Sequence, residues 1–467
     1  MAVEEILIIG SGSTAFAAAL RAQSLGLTVK MIEKSVLGGT CINWGCIPSK
    51  TLIHGAFVRN TALAGTGLGM GTTTDGVQTA RFFAHKEEVV NHLRRTKYLE
   101  VLKKAPEVEV IKGTARFIAP DQVQVGEQVF QSRRILIAAG GQPRIIPITG
   151  LETTPYLTSR SALLLKTIPR SLVIIGGGVI AVELGQMYLR MGSHVTILEH
   201  GPRLLPMVEP ELVASLEEAL MAEGMEIVVN AATCAVSHDG THTVVETEVA
   251  GQSRQFRGEK LLLAVGTAPA TTGLGLEKAG IELDPKGFIR VDREMRTSVP
   301  GIWAAGDVVG GMMIATVGAR EGIVAVDNMV NPGCGCRVDY HLVPMAIFTD
   351  PEVGIVGYTE EAARQAGFQV MVNTIPAAAI PKAHVTGDTQ GAVKIVADSV
   401  TGRLLGIHLC CHRGADIINE AALAIQCKLT IDDLASMLHV YPSMAEGLRL
   451  CAQGFNRDIS RLSCCAE

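Results

Sequence analysis

The stretch Ile6-Leu-Ile-Ile9-Gly10-Ser-Gly12-Ser-Thr-Ala15 sets the architecture. Four apolar residues run into a glycine turn, and the residues after it, Phe16 to Leu25, continue as a helix. Gly26 ends that helix, and Val29–Ile32 reads as a second strand closed by Glu33. Strand, glycine turn, helix and strand ending on an acid is the order of a mononucleotide-binding unit. Gly10 permits the tight turn, Gly12 lets a phosphate approach the backbone, and the small Ala15 allows close helix–strand packing. The helix N-terminus then offers free N–H groups to a pyrophosphate, and Glu33 is placed to accept from a ribose hydroxyl.

The unit occurs twice. Ser171-Leu-Val-Ile-Ile175 leads into Gly176-Gly-Gly178-Val-Ile-Ala181, a helix from Val182 to Met191, and a strand His194–Leu198 that ends at Glu199. Gly10 and Glu33 are 23 positions apart, as are Gly176 and Glu199. One such motif is a weak signal; two with matching terminal acids predict two bound dinucleotides. Arg134–Gly141 and Lys260–Gly266 read as a further buried strand and glycine turn in each unit, and Gly301–Asp307 as another. Asp307 suits either a sugar-alcohol hydroxyl or the cap of the next helix.

Between the units, Phe83 to Lys104 reads as a helix with Val89, Leu93, Tyr98 and Leu102 on its apolar side. Short strands are expected at Val108–Lys112 and Gln122–Val125. From Pro344 the texture becomes α+β. Strands at Lys394–Ala397 and Leu404–Leu409 precede helices at Ala415–Gln426, Ile431–Ser436 and Met444–Asn456. Met444, Leu448, Cys451 and Phe455 form a stripe on the last helix, read as packing or dimer contact.

A length of 467 residues calls for two or three domains. A formal charge of −5 with no long basic run argues against nucleic-acid or lipid affinity. Met1 to Glu5 pass directly into Ile6–Ile9, which reads as neither a signal peptide nor a membrane span and gives a cytoplasmic expectation. The eleven cysteines include the close pairs Cys41/Cys46, Cys334/Cys336, Cys410/Cys411 and Cys464/Cys465. In a reducing compartment such pairs suit redox exchange or soft-metal capture better than stapling.

Gly38-Gly-Thr-Cys41-Ile-Asn-Trp-Gly-Cys46-Ile-Pro-Ser-Lys50 carries the strongest chemical signal. Four intervening residues let both thiols share the first turns of a helix, where backbone donors, the helix dipole and a nearby cation favour a thiolate. A zinc site would ask for further ligands, and none is evident in this segment.

This segment resembles the redox-active segment of the FAD-dependent pyridine nucleotide–disulfide oxidoreductases. The resemblance extends over nearly the whole chain through both nucleotide turns, Gly306-Asp307, Phe348-Thr-Asp-Pro351 and the C-terminal helices. It implies two Rossmann-like α/β domains binding FAD and NAD(P) and a C-terminal α+β dimerisation domain, in a homodimer. The implied boundaries are an FAD domain at 1–150, an NAD(P) domain at 151–270, a central segment completing the FAD domain at 271–335, and an interface domain at 336–467. Cys46 would contact the flavin and Cys41 would be the interchange thiol. Lys50 would sit near the reactive flavin ring atom and pair with Glu183, and Asp307 would bind the ribityl chain. Hydride would pass from nicotinamide to flavin, and then electrons to the cysteine pair.

Two features resemble the mercury-reducing branch rather than the lipoamide dehydrogenases. In His439-Val-Tyr441-Pro-Ser-Met-Ala-Glu446, Tyr441 stands where the lipoamide branch places a histidine base oriented by an acid matching Glu446. A phenol with an ordinary pKa near 10 replaces that base poorly. His439, two positions away, would face elsewhere. The tail Arg461-Leu-Ser-Cys464-Cys465-Ala-Glu467 also resembles that branch. It implies capture of thiol-bound Hg(II) by Cys464 and Cys465 and its delivery to Cys41 and Cys46 of the partner subunit, which makes all four metal-contacting. Many members of the branch begin with a small Cys-x-x-Cys domain, and some carry tyrosine at the Val179 position; this sequence shows neither. The branch implies NADPH, whereas Glu199 as an acceptor for an unmodified ribose leaves NADH open. Dihydrolipoamide dehydrogenase and a mercury-sequestering protein are the alternatives. Cys334/Cys336 and Cys410/Cys411 are read as ordinary interface cysteines, with extra metal ligation as the other reading.

Overall fold

A computed structural model describes residues 5–65, 69–71 and 76–458. Its first sheet is parallel, in the spatial order Ile302–Ala304, Ile135–Ile137, Glu5–Ile9, Thr28–Glu33, Val108–Lys112. A second parallel sheet repeats the plan: Glu226–Val228, His194–Leu198, Ser171–Ile175, Lys260–Leu263, Leu157–Thr158. Each unit also carries a three-stranded antiparallel meander, over Ala115–Gln131 in the first and Ala231–Gly258 in the second.

The wholly apolar central runs Ile6–Ile9, Ile135–Ile137 and Leu172–Ile175 suit a sheet covered on both faces. Ile6 and Ile8 pack with Ala15 and Phe16 of the following helix, while Leu7 and Ile9 face Phe117 and Ile289 on the other side. In the second unit Leu172 and Ile174 take one face and Val173 and Ile175 the other. The helices after the turns span Ser13–Ser24 and Val179–Arg190, three residues earlier than the sequence pattern suggests. The reason is that Gly12 and Gly178 are themselves the N-caps, both in extended conformation.

The C-terminal sheet is antiparallel, ordered Met345–Ile347, Glu352–Gly357, Leu404–Cys411, Ala392–Asp398, Val370–Pro376. Helices at Gly414–Gln426, Ile431–Ser436 and Glu446–Gln453 follow. Met444, Leu448 and Cys451 are buried in that domain's own core, with Phe455 packed against it, so the stripe is packing. The helix expected at Phe83–Lys104 starts at Thr79 and passes through a π-helical turn at Arg95–Leu99 before ending at Leu102. Phe83 and Val90 are its buried apolar residues, while Tyr98 packs on Phe16 with ring centroids 4.7 Å apart. No helix among the described residues is long and apolar enough to cross a membrane.

Candidate active site

A long cleft opens along the carboxyl ends of the first sheet, where ligands of open α/β sheets bind. It is lined by Gly10, Gly12, Glu33, Cys41, Cys46 and Asp307 among others. Gly10 has φ +114°, and a Cβ there would lie 2.2 Å from the Ala138 carbonyl oxygen. A Cβ on Gly39 would meet the Gly12 Cα at 2.5 Å, so bare backbones of turn and cysteine segment pass close together. Ala15 is fully buried against the sheet. The second unit matches: Gly176 has φ +106°, with the Ala264 carbonyl oxygen 2.5 Å from a would-be Cβ, and Ala181 is fully buried.

The two terminal acids make homologous contacts. Glu33 accepts from the Ser11 hydroxyl and the Ser35 N–H; Glu199 accepts from the Gly177 and Gly201 N–H groups. Each carboxylate is thus tied to its own glycine turn or to the residues just beyond its strand. Asp307 lines the cleft after Gly306, and burial raises its carboxyl above the usual range. Such a buried acid is suited to hydroxyl donors from a sugar alcohol. A dinucleotide with an extended sugar chain fits this cleft: open glycine backbone for the pyrophosphate, Glu33 at the ribose end, and Asp307 and the cysteines further along.

The cysteine pair differs in one respect from the sequence expectation of a shared helix. Cys41 lies in a short helix, Gly39–Trp44, and Cys46 is the first residue of the next, Cys46–Ala64. Gly45 breaks the two at φ −127°, ψ −113°, where a Cβ would crowd the Thr40 carbonyl oxygen at 3.0 Å. The break folds Cys41 back on the N-terminus of the second helix, so the thiols hydrogen-bond to one another. Cys46 is lowered from the ordinary thiol range to about 7, first by the hydrogen bond from Cys41 and, against desolvation, by the Lys50 charge and a backbone donor. Cys41 is pushed far up, first by that same hydrogen bond and then by burial. The first proton to leave the reduced pair around neutral pH is therefore that of Cys46, while Cys41 stays a thiol.

Lys50 Nζ lies 2.7 Å from Glu183 Oε2, and the other carboxylate oxygen accepts the Phe348 N–H at 3.0 Å. Glu183 is 4% exposed, which removes the reading of a solvent-facing helix acid. It joins three parts of the chain: the cysteine helix, the second nucleotide helix, and the approach to the C-terminal sheet. One face of the helix Val179–Arg190 continues the contact. Gln186 exchanges two hydrogen bonds with the Asp350 backbone, and Arg190 pairs with Glu223 and Asp350. The spacing 183, 186, 190 puts the three side chains on one side of the helix.

Tyr441 lies outside this cleft, on the C-terminal domain next to the exposed Leu438 and Val440. His439 Nε2 lies 2.9 Å from Glu420 Oε1, which raises the imidazole's pKa and engages the ring with that carboxylate. Glu446 is buried, its Oε2 lacks a hydrogen-bond partner among the described residues, and burial raises its pKa. Cys464 and Cys465 lie outside the described residues. Cys410 and Cys411 are fully buried in separate clusters.

Sequence reasoning missed the Trp44–Arg160 stack, whose guanidinium lies 3.6 Å from the ring centroid at the cysteine end of the cleft. Nothing in either local segment marks that pairing. It also missed Ser11 and Ser35, which only their positions beside the turn and Glu33 could have suggested.

The model of the family described as pyridine nucleotide-disulphide oxidoreductase matches residues 4–322, and that of its dimerisation domain matches 343–452. A mercuric reductase from Lysinibacillus sphaericus is 38% identical over 99% of this chain and 84% of its own length. A dihydrolipoyl dehydrogenase from Thermus scotoductus is 35% identical, covering 98% of both chains. The HOCl-induced flavoprotein disulfide reductase RclA from Escherichia coli, solved as a Cu(II) complex, superposes with a TM-score of 0.85 at 34% identity, covering 97% of this chain and 99% of that one. These relatives share a scaffold and differ in the acceptor their names give. Since the two family models take in both nucleotide units and the C-terminal sheet, the chain belongs to the pyridine nucleotide–disulphide oxidoreductases, as a class I, homodimeric enzyme that uses FAD and NAD(P)H.

Proposed function

We propose that this enzyme reduces thiol-bound Hg(II) to Hg(0) with a reduced nicotinamide. The reading rests on three features: Tyr441 stands where the lipoamide branch places a histidine base, Glu446 Oε2 has no hydrogen-bond partner among the described residues, and His439 is held by Glu420. A dithiol acceptor needs a base near neutral pH to move a proton to its leaving thiol. Hg(II) reduction needs two soft ligands instead, and the sequence offers them twice, at Cys41/Cys46 and Cys464/Cys465.

In this reading Cys464 and Cys465 of one subunit pass the cation by thiol exchange to Cys41 and Cys46 of the other. Cys46, its pKa lowered to about 7, supplies the first thiolate, and metal coordination displaces the Cys41 proton. Lys50, held by Glu183, keeps positive charge beside the sulfurs. Bound FAD supplies the two-electron link between the nicotinamide and the cysteine pair. Overall, one reduced nicotinamide and one proton convert a Hg(II) dithiolate to Hg(0) and two thiols. Tyr441 takes no proton, and since it lies outside the cleft of its own subunit, it shapes the metal's surroundings from across the dimer.

The branch favours NADPH. Arg203, a candidate partner for a 2′-phosphate, spends its guanidinium on the carbonyls of Leu205, Pro206 and Val208, which keeps NADH in contention. The deciding experiment adds NADPH, or NADH, anaerobically to the holoenzyme, then Hg(II) with excess glutathione. Flavin absorbance and mercury vapour are followed together. The expected result is nicotinamide oxidation matched by Hg(0) release. Rapid turnover of oxidised lipoamide with no mercury-dependent oxidation assigns the enzyme to the dithiol branch instead.

A further inference from the structure

Cys334 and Cys336 play no part in the site described above. They follow the helix Ala315–Val330, whose first residue lines the cofactor cleft. Sixteen residues at a 1.5 Å rise place the far end about 24 Å from that cleft, so this is a separate place on the molecule.

The loop is built around a buried asparagine. Asn328 is fully buried on the last turns of the helix. Its Oδ1 accepts from the Cys334 thiol at 3.3 Å, and its Nδ2 donates to the Cys336 carbonyl at 2.9 Å and to the Val324 carbonyl at 3.0 Å. One side chain therefore grips the loop at both cysteines. Gly335 between them takes φ +57°, a conformation that costs glycine little. The turn brings the Cys336 N–H onto the Cys334 sulfur at 3.3 Å. The two thiols also hydrogen-bond to each other. Within one subunit Cys334 is exposed and Cys336 half-buried.

An N–H aimed at a sulfur two residues back stabilises a thiolate and stays in place when that sulfur binds a metal. A disulfide sulfur, which carries no charge, gains much less from it. Arg320 and Asp327 are the charged groups that act on the pair, and Asp327 is itself paired with Arg21. When Cys334 gives up its proton its bond to Asn328 is lost, but the Asn328 bond to the Cys336 carbonyl and the Cys336 N–H on the Cys334 sulfur remain, and these hold the two sulfurs as a chelate.

We propose that Cys334 and Cys336 form a second, non-catalytic capture site for a soft, thiophilic d¹⁰ cation. Binding forms two S–metal bonds. The cation's two incoming thiolate ligands leave as thiols, carrying the protons lost by Cys334 and Cys336, and no electrons change hands. The class of cation follows from sulfur-only ligation. The choice of Hg(II) as the physiological one rests on the proposed function.

The test uses the full-length holoenzyme without any nicotinamide, so that binding here is read apart from turnover. Hg(II) is added in excess as its bis-glutathione complex. The protein is then pulsed with iodoacetamide, and labelling of the peptide holding both cysteines is measured by mass spectrometry. Labelling of Cys334 and Cys336 should fall together by about tenfold or more, because metal-bound thiolates are not free to attack. In Cys334→Ser, Cys336 should label at close to its metal-free rate. Unchanged FAD content and Cys41/Cys46 labelling in metal-free protein check that the variant is folded. Cys336 still protected in Cys334→Ser, or both cysteines labelling at the metal-free rate in the parent, overturns the site. Either result leaves mercury reduction at Cys41/Cys46 to stand or fall by its own assay. A mass loss of two hydrogens across the pair, showing a disulfide in place of a metal chelate, also overturns it.

Discussion

Cys41/Cys46 and Cys410/Cys411 look alike as paired thiols in sequence and are opposites in the fold. Adjacent residues of a strand point to opposite faces, so Cys410 packs into the core it shares with the second nucleotide unit and Cys411 into the core of the C-terminal domain. Burial pushes both thiols up, Cys411 to about 12. Cys41 and Cys46 sit five positions apart across a helix break that turns them toward each other, and Cys46 falls to about 7. Spacing in sequence therefore says little about cooperation between thiols until the local geometry is known. A helix junction makes a reactive pair, and a strand separates one.

The largest effect that sharpens this contrast is the loss of one partner. Cys46→Ser should lower nicotinamide-dependent acceptor reduction by at least about 10³-fold, since the reactive sulfur is gone. Cys411→Ser should leave turnover within about twofold, because it touches nothing reactive. Steady-state rates at saturating nicotinamide read both. Comparable losses in the two variants would break the contrast.

A second prediction concerns acidity. In the reduced enzyme, alkylation of Cys46 should rise with pH through a midpoint near about 7, while Cys41 lags well above it. The sign for Lys50 follows from charge: an ammonium stabilises the thiolate, so Lys50→Met should move the midpoint upward. The size is roughly one pH unit, equivalent to about 1.4 kcal/mol. The buried Glu183, left without its cation, adds to the rise because its charge already opposes the Cys46 thiolate. An unmoved midpoint would mean that Lys50 does not act on the sulfur.

Much of this was readable in the chain itself. The paired glycine turns, the strands at Ser171–Ile175, His194–Leu198 and Val108–Lys112, and the cysteine segment all follow from local pattern. The break at Gly45 was not, because a glycine inside a helical run shows its purpose only once the neighbouring carbonyl of Thr40 is in place. The pairing of Lys50 with Glu183 followed from the family resemblance rather than from local pattern, and Lys394 was hidden for a longer-range reason. Lys394 is 1% exposed in its strand and is satisfied by Glu209, Glu211 and Glu360. Glu209 and Glu211 lie more than 180 positions away. A buried charge is tolerated only with its partners present, and tertiary folding alone brings these together.

Glu183 tests whether the reactive pair also depends on domain docking. Glu183→Ala strips the Phe348 N–H of its acceptor and Lys50 of its counter-ion. Lys50 is partly solvated, so the expected cost is about 2 kcal/mol, below that of a fully buried pair. It should appear as a lower midpoint of the first thermal transition. Cys410 variants should leave the Cys46 alkylation midpoint where it is.

The smallest expected effect is at Cys410. Its thiol behaves as a small apolar side chain in the shared core beside Val353 and Ile347, and truncation to alanine removes one sulfur's worth of packing. Cys410→Ala should cost about 1 kcal/mol at most in stability, with activity and flavin content unchanged. A conservative Cys410→Val should recover part of that loss if volume matters at the site, and lose more if the pocket cannot widen. Either outcome leaves the contrast intact, because both act through packing. A Cys410→Ala variant that kept its stability but lost mercury-dependent turnover would instead make this buried sulfur a participant, and would mean the strand opens far enough in solution to bring a core thiol to the metal.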